Sequence, residues 1–475
     1  MKLFCATLMV LILYGSGQAA MTEDTLSFAP FGTIHMYQAT EKPDHLVLFI
    51  SGDGGWNLGV VEMARKLAQT HALVAGIDIT HYFKESGSLA GKCSYTAAHL
   101  ESLSQSLQAR YAFKSYTLPI LVGYSSGATL VYATLAQSPP NTFLGGVSLG
   151  FCPDLLLPKP MCKGDGKLTW TMDTKIKNTY IFKPAELVAP WIALQGDTDQ
   201  VCDPAVTKEF VGKVGNGRVI MLPGVGHGYS APKNWLPQFK AAFQQILDDD
   251  AAVRKQPKAI LPVSLGDLPL VELPVTDKGV GYFAVILTGD GGWAGIDKSL
   301  GEAMNRENIP VVGLNCLQYF WAPKTPEQSA ADLARIIQYY SQAWGQNNVV
   351  LIGYSLGADV LPFMINRLPE AVKSNVVASV LLGAEAHVEF QVRVADWLGS
   401  SKTDAALPVI PEVKNLAGRH LACIYGADEK ETSICPDLDQ NFFKVVQMPG
   451  GHHFGGDYQK LARIILDHVK TAKIP

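Results

Sequence analysis

Charge is what this sequence has least of: only 17% of its 475 residues are Asp, Glu, Lys or Arg, and the formal net charge is -4. No Lys/Arg run or basic stripe stands out, which excludes the electrostatic footprint of a nucleic-acid binder. No Cys-x-x-Cys occurs and no histidine stands at zinc spacing from a cysteine pair, so a structural zinc site is excluded. Gly-Lys-Ser/Thr and Gly-x-Gly-x-x-Gly are missing as well, which removes the two common nucleotide-cradling loops. Beyond the first twenty residues no apolar run is long enough to span a bilayer.

What is present is apolar, at 48% of the chain, enough for two globular domains with substantial cores. Met1-Lys2, an apolar run from Leu3 to Tyr14 and the small residues Gly15 to Ala20 have the form of a secretory signal peptide over 1–20, cut near Ala19 or Ala20. The mature chain is therefore expected to be periplasmic, soluble and monomeric. In an oxidising compartment its seven remaining cysteines should pair. Spacing points to Cys152–Cys162 and Cys423–Cys435, with Cys93–Cys202 as a third bridge and Cys316, inside an apolar run, as a buried free thiol.

The chain is written twice. Phe49 to Trp56, with Ser51-Gly52-Asp53-Gly54-Gly55-Trp56, returns as Ile286 to Trp293, with Thr288-Gly289-Asp290-Gly291-Gly292-Trp293. Gly76-Ile77-Asp78 answers Gly313-Leu314-Asn315, and Gly123-Tyr124-Ser125-Ser126-Gly127 answers Gly353-Tyr354-Ser355-Leu356-Gly357. Later, Gly196 to Asp199 matches Gly426 to Glu429, and Pro223 to His227 matches Pro449 to His453. This predicts two domains, 21–250 and 275–475, joined by a proline-rich linker over 251–274. Short apolar runs alternate with helical patterns, among them Phe283–Leu287 and Val349–Ile352 as strands and Pro326–Trp344 as a helix. The expected fold class is α/β: two tandem α/β-hydrolase-like domains, each with a mostly parallel sheet covered by helices.

The chemistry sits at the turns. A Gly-x-Ser-x-Gly between a buried strand and a helix places serine on a strained elbow, and both copies satisfy that context. Ser355 is the candidate nucleophile, with Ser125 in the same position of the first copy. A serine hydroxyl needs a downstream base. His452 or His453 supplies it in the second copy and His227 in the first. The acid that orients the base should follow the penultimate strand, giving Glu429 or Asp428, and Asp199 in the first copy. The backbone N–H groups of Leu356 and Ser126, together with Asp290 or Gly291 and Asp53 or Gly54 of the Gly-rich loops, are the candidate oxyanion donors. A carboxylate recurring beside an oxyanion site is unusual. It would serve either to recognise a substrate ammonium or to stabilise the turn. No cofactor and no metal are expected.

On the Gly-Asp-Gly-Gly-Trp loop, the Gly-Tyr-Ser-Leu-Gly-Ala elbow, Tyr319-Phe320-Trp321 and the Pro-Gly-Gly-His-His-Phe-Gly-Gly-Asp-Tyr tail at 449–458, the chain resembles the VirJ/AcvB family of bacterial virulence proteins, in its longer two-copy form. The resemblance implies a periplasmic serine esterase that hydrolyses the aminoacyl ester of lysyl-phosphatidylglycerol. It implies roles in membrane lipid homeostasis, acid tolerance and virulence, with secretion-system components as possible partners and an aminoacylated phospholipid as substrate. It also implies that the C-terminal copy, hence Ser355, is the active one. Ser125, Asp199 and His227 depart from an inactive first copy. Another carboxylesterase or phospholipase, and a non-catalytic periplasmic chaperone or adaptor, are the alternatives.

Overall fold

Runs such as Leu46–Ile50 and Phe283–Leu287 are apolar at every position, the pattern of a strand covered on both faces, and each is buried near the middle of its own sheet. The computed structural model describes residues 21–89, 91–164, 168–255, 265–275, 279–293, 295–392 and 406–472. The expected signal peptide lies outside the described residues, and among those residues no helix is long and apolar enough to cross a membrane.

In the N-terminal half the chain forms β1 (Thr22–Phe28), β2 (Gly32–Gln38), β3 (His45–Ile50), helix α1 (Leu58–Ala68), β4 (Ala72–Ile77) and helices α2 (Ile79–Ser88) and α3 (Thr96–Arg110). There follow β5 (Ile120–Tyr124), α4 (Ser126–Gln137) and β6 (Gly145–Leu149). An insertion carries a small sheet of β7 (Asp154–Leu156), β8 (Trp170–Met172) and β9 (Thr179–Phe182). The main sheet resumes with β10 (Glu186–Gly196), α5 (Pro204–Val211), β11 (Gly215–Leu222) and α6 (Leu236–Lys255). Its order is β1-β2-β4-β3-β5-β6-β10-β11, antiparallel at β1 and β2 and parallel from β4 onward.

The C-terminal half repeats the plan. It runs β12 (Leu270–Leu273), β13 (Tyr282–Leu287), α7 (Gly295–Arg306), β14 (Val311–Leu314), α8 (Cys316–Tyr319), α9 (Pro326–Trp344), β15 (Asn348–Tyr354) and α10 (Leu356–Asn366). Next come α11 (Glu370–Lys373), β16 (Val376–Leu382), β17 (His387–Val388), β18 (Leu407–Pro408) and α12 (Val409–Lys414). The chain closes with β19 (Leu421–Gly426), β20 (Lys444–Met448) and α13 (Tyr458–Lys470). The order β12-β14-β13-β15-β16-β19-β20, with only β12 antiparallel, matches the first sheet strand for strand from β2 on. Both halves are α/β-hydrolase-like sheets flanked by helices.

Local chemistry sets these boundaries. Thr325 caps α9 through a reciprocal capping box with Gln328, Pro326 opens its first turn, and Gly345 closes it in the left-handed region. Helices α4 and α10 are apolar nearly all round because each lies against its sheet and under other elements. Of the segment expected as a linker, 251–255 continue α6 and Leu270–Leu273 form an edge strand, while 256–264 lie outside the described residues. Pro269 and Pro274 flank that strand, where a missing N–H is tolerated. The halves touch where Trp321 Nε1 donates to Phe113 O (3.0 Å) and stacks obliquely against Tyr116.

Two expected disulfides are corrected. The bridges are Cys93–Cys162, Cys152–Cys202 and Cys423–Cys435, so only the last follows the shortest spacing. Cys93 and Cys162 flank a backbone bridge in which Ser94 N–H bonds Pro160 O (2.8 Å) and Cys162 N–H bonds Ser94 O (2.9 Å). That bridge draws Cys162 away from Cys152. Cys316 is a buried free thiol, as expected.

Candidate active site

Both serines sit on the elbow. Ser125 has φ 54° and ψ -122°, and Ser355 has φ 51° and ψ -121°, a conformation costly for any residue with a Cβ and kept only where the surroundings enforce it. Enforcement comes from neighbours: the serine N–H groups bond Leu149 O and Leu382 O, both at 2.9 Å. Gly127 and Gly357 let the helix start press against the carbonyls of Ile50 and Leu287, where a Cβ would overlap. The N–H groups of Ser126 and Leu356, in the first turn of α4 and α10, have no intrahelical acceptor and lie at the positive end of the helix dipole.

In the N-terminal half the relay is complete. A carboxylate can only accept, so His227 Nδ1–H donates to Asp199 Oδ2 (2.9 Å), which leaves Nε2 to accept from Ser125 Oγ–H (2.9 Å). Asp199 is buried and held from three further directions. Its Oδ1 accepts the N–H groups of Val201 (2.8 Å) and Cys202 (2.9 Å), and its Oδ2 also accepts from Gln195 Nε2 (3.1 Å). Asp199, Cys202 and His227 bring possible ligand atoms within 4.8 Å of one another. Because the Cys202 sulfur is bonded to Cys152, no thiolate is available and the trio does not suit a metal.

In the C-terminal half His452 Nδ1–H donates to Glu429 Oε1 at 2.6 Å. The His452 ring lies over Gly383 as the His227 ring lies over Gly150, so the two imidazoles occupy matching places. His453 instead meets Tyr354 OH through Nδ1 (3.3 Å). Asp428 is exposed, and its N–H bonds Gly450 O (3.0 Å); Glu429, not Asp428, reaches the imidazole. Among the described residues no hydrogen bond joins His452 to Ser355, and the buried Glu429 Oε2 has no partner. The acid–base pair is in place without the serine hydrogen bond that completes the relay in the first half.

The Gly-rich loops are held from beneath. Trp56 and Trp293 pack their rings against Gly76 and Gly313 of the next strand, where a Cβ would collide with the indole. Asp78 caps α2 through Thr80 N–H (2.8 Å) and accepts Trp56 N–H (3.2 Å), while Asn315 Oδ1 caps α8 through Gln318 N–H (3.2 Å). The loop and the Gly-Ile-Asp or Gly-Leu-Asn block are thus one unit. Recurrence in both copies was the signal for it, and for Gly150 and Gly383, whose role in seating the imidazole the motif reading missed. At the loop tips, Asp53 Oδ1 accepts Ser126 Oγ–H (2.6 Å), which ties the carboxylate across the first site; the second site has Asp290 and Leu356 at these two sequence positions. Gly54 and Gly291 are exposed beside them. Behind the second loop lies buried Asp297, whose carboxyl is pushed well above the usual range by desolvation; the corresponding helix in the first half carries Val60.

An α/β-hydrolase sheet with an elbow serine and a histidine–carboxylate pair defines the class of protein twice over. Within it, the family described as bacterial virulence protein (VirJ) matches residues 44–143 and 281–473, more than half of the chain, and the chain belongs to that family. No curated protein matches it. Similar solved structures include an α/β serine hydrolase without a lid from Xanthomonas campestris, 18% identical, covering 48% of this chain and 94% of its own, with a TM-score of 0.31. A dienelactone hydrolase from Anabaena variabilis is 16% identical over 49% of this chain and 98% of its own, with a TM-score of 0.34. The esterase domain of a Rhodothermus marinus protein is 15% identical over 50% and 98%, with a TM-score of 0.31.

Proposed function

We propose that the protein is a periplasmic serine esterase in which Ser355 attacks the aminoacyl ester of lysyl-phosphatidylglycerol, and that Ser125 retains the same ester-cleaving machinery. The observation that carries the esterase reading is the Asp199–His227–Ser125 relay, with both bonds at 2.9 Å on a strained elbow, whose elements recur around Ser355. Ser Oγ adds to the ester carbonyl as its proton passes to the histidine Nε2; the oxyanion faces the N–H of Leu356 or Ser126. Collapse breaks the ester C–O bond, and the departing alcohol, phosphatidylglycerol, takes the proton from the imidazolium. Water then repeats the cycle on the aminoacyl-enzyme and frees lysine. The carboxylate keeps the imidazole in one tautomer and stabilises its charged form.

Acidity around the second site favours a cationic acyl group. Asp290 stands on the loop beside Ser355. Exposed Glu385 follows Gly383, under His452, by two residues, and its N–H bonds Asp359 Oδ1 (2.7 Å) in the first turn behind Ser355. Asp428 lies exposed next to Glu429. The corresponding positions of the first site are Asp53 and the uncharged Cys152 and Thr198, with Asp197 where the second site has Ala427. The test is turnover of lysyl-phosphatidylglycerol by purified Ser125→Ala and by the Ser125→Ala/Ser355→Ala double variant: release of lysine by the first and not the second supports the reading. Cleavage restricted to acyl-chain esters would instead favour a phospholipase or another carboxylesterase.

A further inference from the structure

The insertion between β6 and β10 does something a hydrophobic core does not need: it exposes large apolar side chains. Leu156 is 61% exposed, Ile176 59%, Met172 52% and Leu89, at the end of α2, 41%. The backbone gathers them. Strand register sets Leu156 opposite Thr179 and Met172 opposite Tyr180, so both flank the 173–178 turn that carries Ile176. Leu157 N–H bonds Asn178 O (3.0 Å) and closes that end of the small sheet. Lys159 Nζ donates to Leu89 O (2.7 Å), which joins the tip of α2 to the same edge.

Lysines surround this patch. Residues 152–183 hold six lysines against three aspartates, in a chain of net charge -4. Lys163, Lys175, Lys177 and Lys183 are exposed, as are Lys84 and Lys92 on the neighbouring α2 end and loop. Of the acids, Asp173 is folded back onto the N–H groups of Lys175 (2.6 Å) and Ile176 (2.9 Å) and helps shape the turn. The segment 384–408 of the second half carries four acids and two bases, so its sequence does not repeat the lysine excess. Both β4 and β6 lead into these segments from their carboxyl ends, the side of the sheet on which Ser125 sits.

We propose that this surface docks the protein onto an anionic phospholipid bilayer, Leu156, Met172, Ile176 and Leu89 entering the interface while the lysines meet lipid phosphates. Scattered apolar residues on a surface are ordinary; a cluster at a turn, around which exposed lysines outnumber the acids, Asp154 among them, is the chemistry of an interfacial binder. The inference rests on the esterase reading for its purpose, delivery to a lipid ester, but not for its measurement, since binding is read on lipids that carry no aminoacyl group.

The experiment is co-sedimentation of the full chain with phosphatidylcholine vesicles and with vesicles containing phosphatidylglycerol. Binding is expected to the anionic vesicles and to weaken as salt rises. Each lysine near such a surface contributes about fivefold to partitioning, so Lys175→Glu with Lys177→Glu should lower it by about 25-fold or more. Leu156→Ser with Ile176→Ser should lower it on both kinds of vesicle. Both double variants should keep wild-type circular dichroism and wild-type turnover of a water-soluble ester. Equal partition to neutral and anionic vesicles, or no loss in either double variant, overturns the proposal; so does binding only to a protein partner and to neither vesicle.

Discussion

The two halves hold the same acid in different ways. In the first, Asp199 accepts four hydrogen bonds, and the loop carrying it is stapled to the loop after β6 by Cys152–Cys202. In the second, Glu385 stands where Cys152 does, and a backbone bridge, Glu385 to Ser433 with Ile434 N–H on Ala384 O (3.0 Å), replaces the staple. The disulfide there, Cys423–Cys435, instead ties the acid loop back to its own strand. What the duplication has kept is the position of the carboxylate, not the bonds that fix it. A longer Glu side chain then reaches the imidazole with one oxygen and leaves the other without a partner, so the second site is held less tightly from behind.

The sharpest break in the symmetry is the histidine pair. In a Ser125→Ala background, His452→Ala should lower ester turnover by about 10⁴-fold or more, whereas His453→Ala, whose ring meets Tyr354 OH, should stay within about tenfold; steady-state kinetics on one ester reads both. Equal losses would remove the assignment of His452. Next come the acids. Asp199→Asn, with the other serine silenced, should cost about 10⁴-fold by giving the wrong tautomer, and Glu429→Gln should cost less, since fewer bonds orient it. A larger loss at Glu429 would reverse the comparison.

The staples give a smaller, thermodynamic contrast. Removing Cys152–Cys202 as a serine pair opens a loop of 50 residues, and removing Cys423–Cys435 one of 12. Chain entropy then predicts losses of about 4 and about 3 kcal/mol in denaturant unfolding of the half concerned. The acid window should be smaller still, and in the second half it centres on His468. His468 is buried and stacked at 4.0 Å on His420; desolvation, then the neighbouring imidazole, lowers its pKa to about 4. Its folded pKa lies below the unfolded value, so its stabilising effect is present above about pH 6.5 and falls away as pH drops toward 4, by of order 2 kcal/mol after solvent screening. His468→Phe should flatten that slope in pH-dependent unfolding; an unchanged slope would remove the assignment.

Much of this was legible because the chain repeats itself. The elbows, the chain order serine–acid–histidine and helix α9 could be read directly from pattern, since each depends on neighbours in sequence. The disulfides could not. Cys162 pairs with Cys93 because a backbone bridge brings segments 69 residues apart together, and spacing carries no record of that. Aligning the two copies favours Glu429 over Asp428 and His452 over His453, and it is packing between β16, β19 and the last loop that brings those two side chains together beside Gly383. The edge strand Leu270–Leu273 hid between two prolines that read as a linker.

The central claim is that this protein carries two esterase serines on one duplicated scaffold. Fluorophosphonate labelling of wild type, Ser125→Ala, Ser355→Ala and the double variant tests it most directly. Two labelled serines are predicted, each variant losing its own peptide and the double variant losing both. An unlabelled wild type, or a double variant that still labels as wild type does, would contradict it.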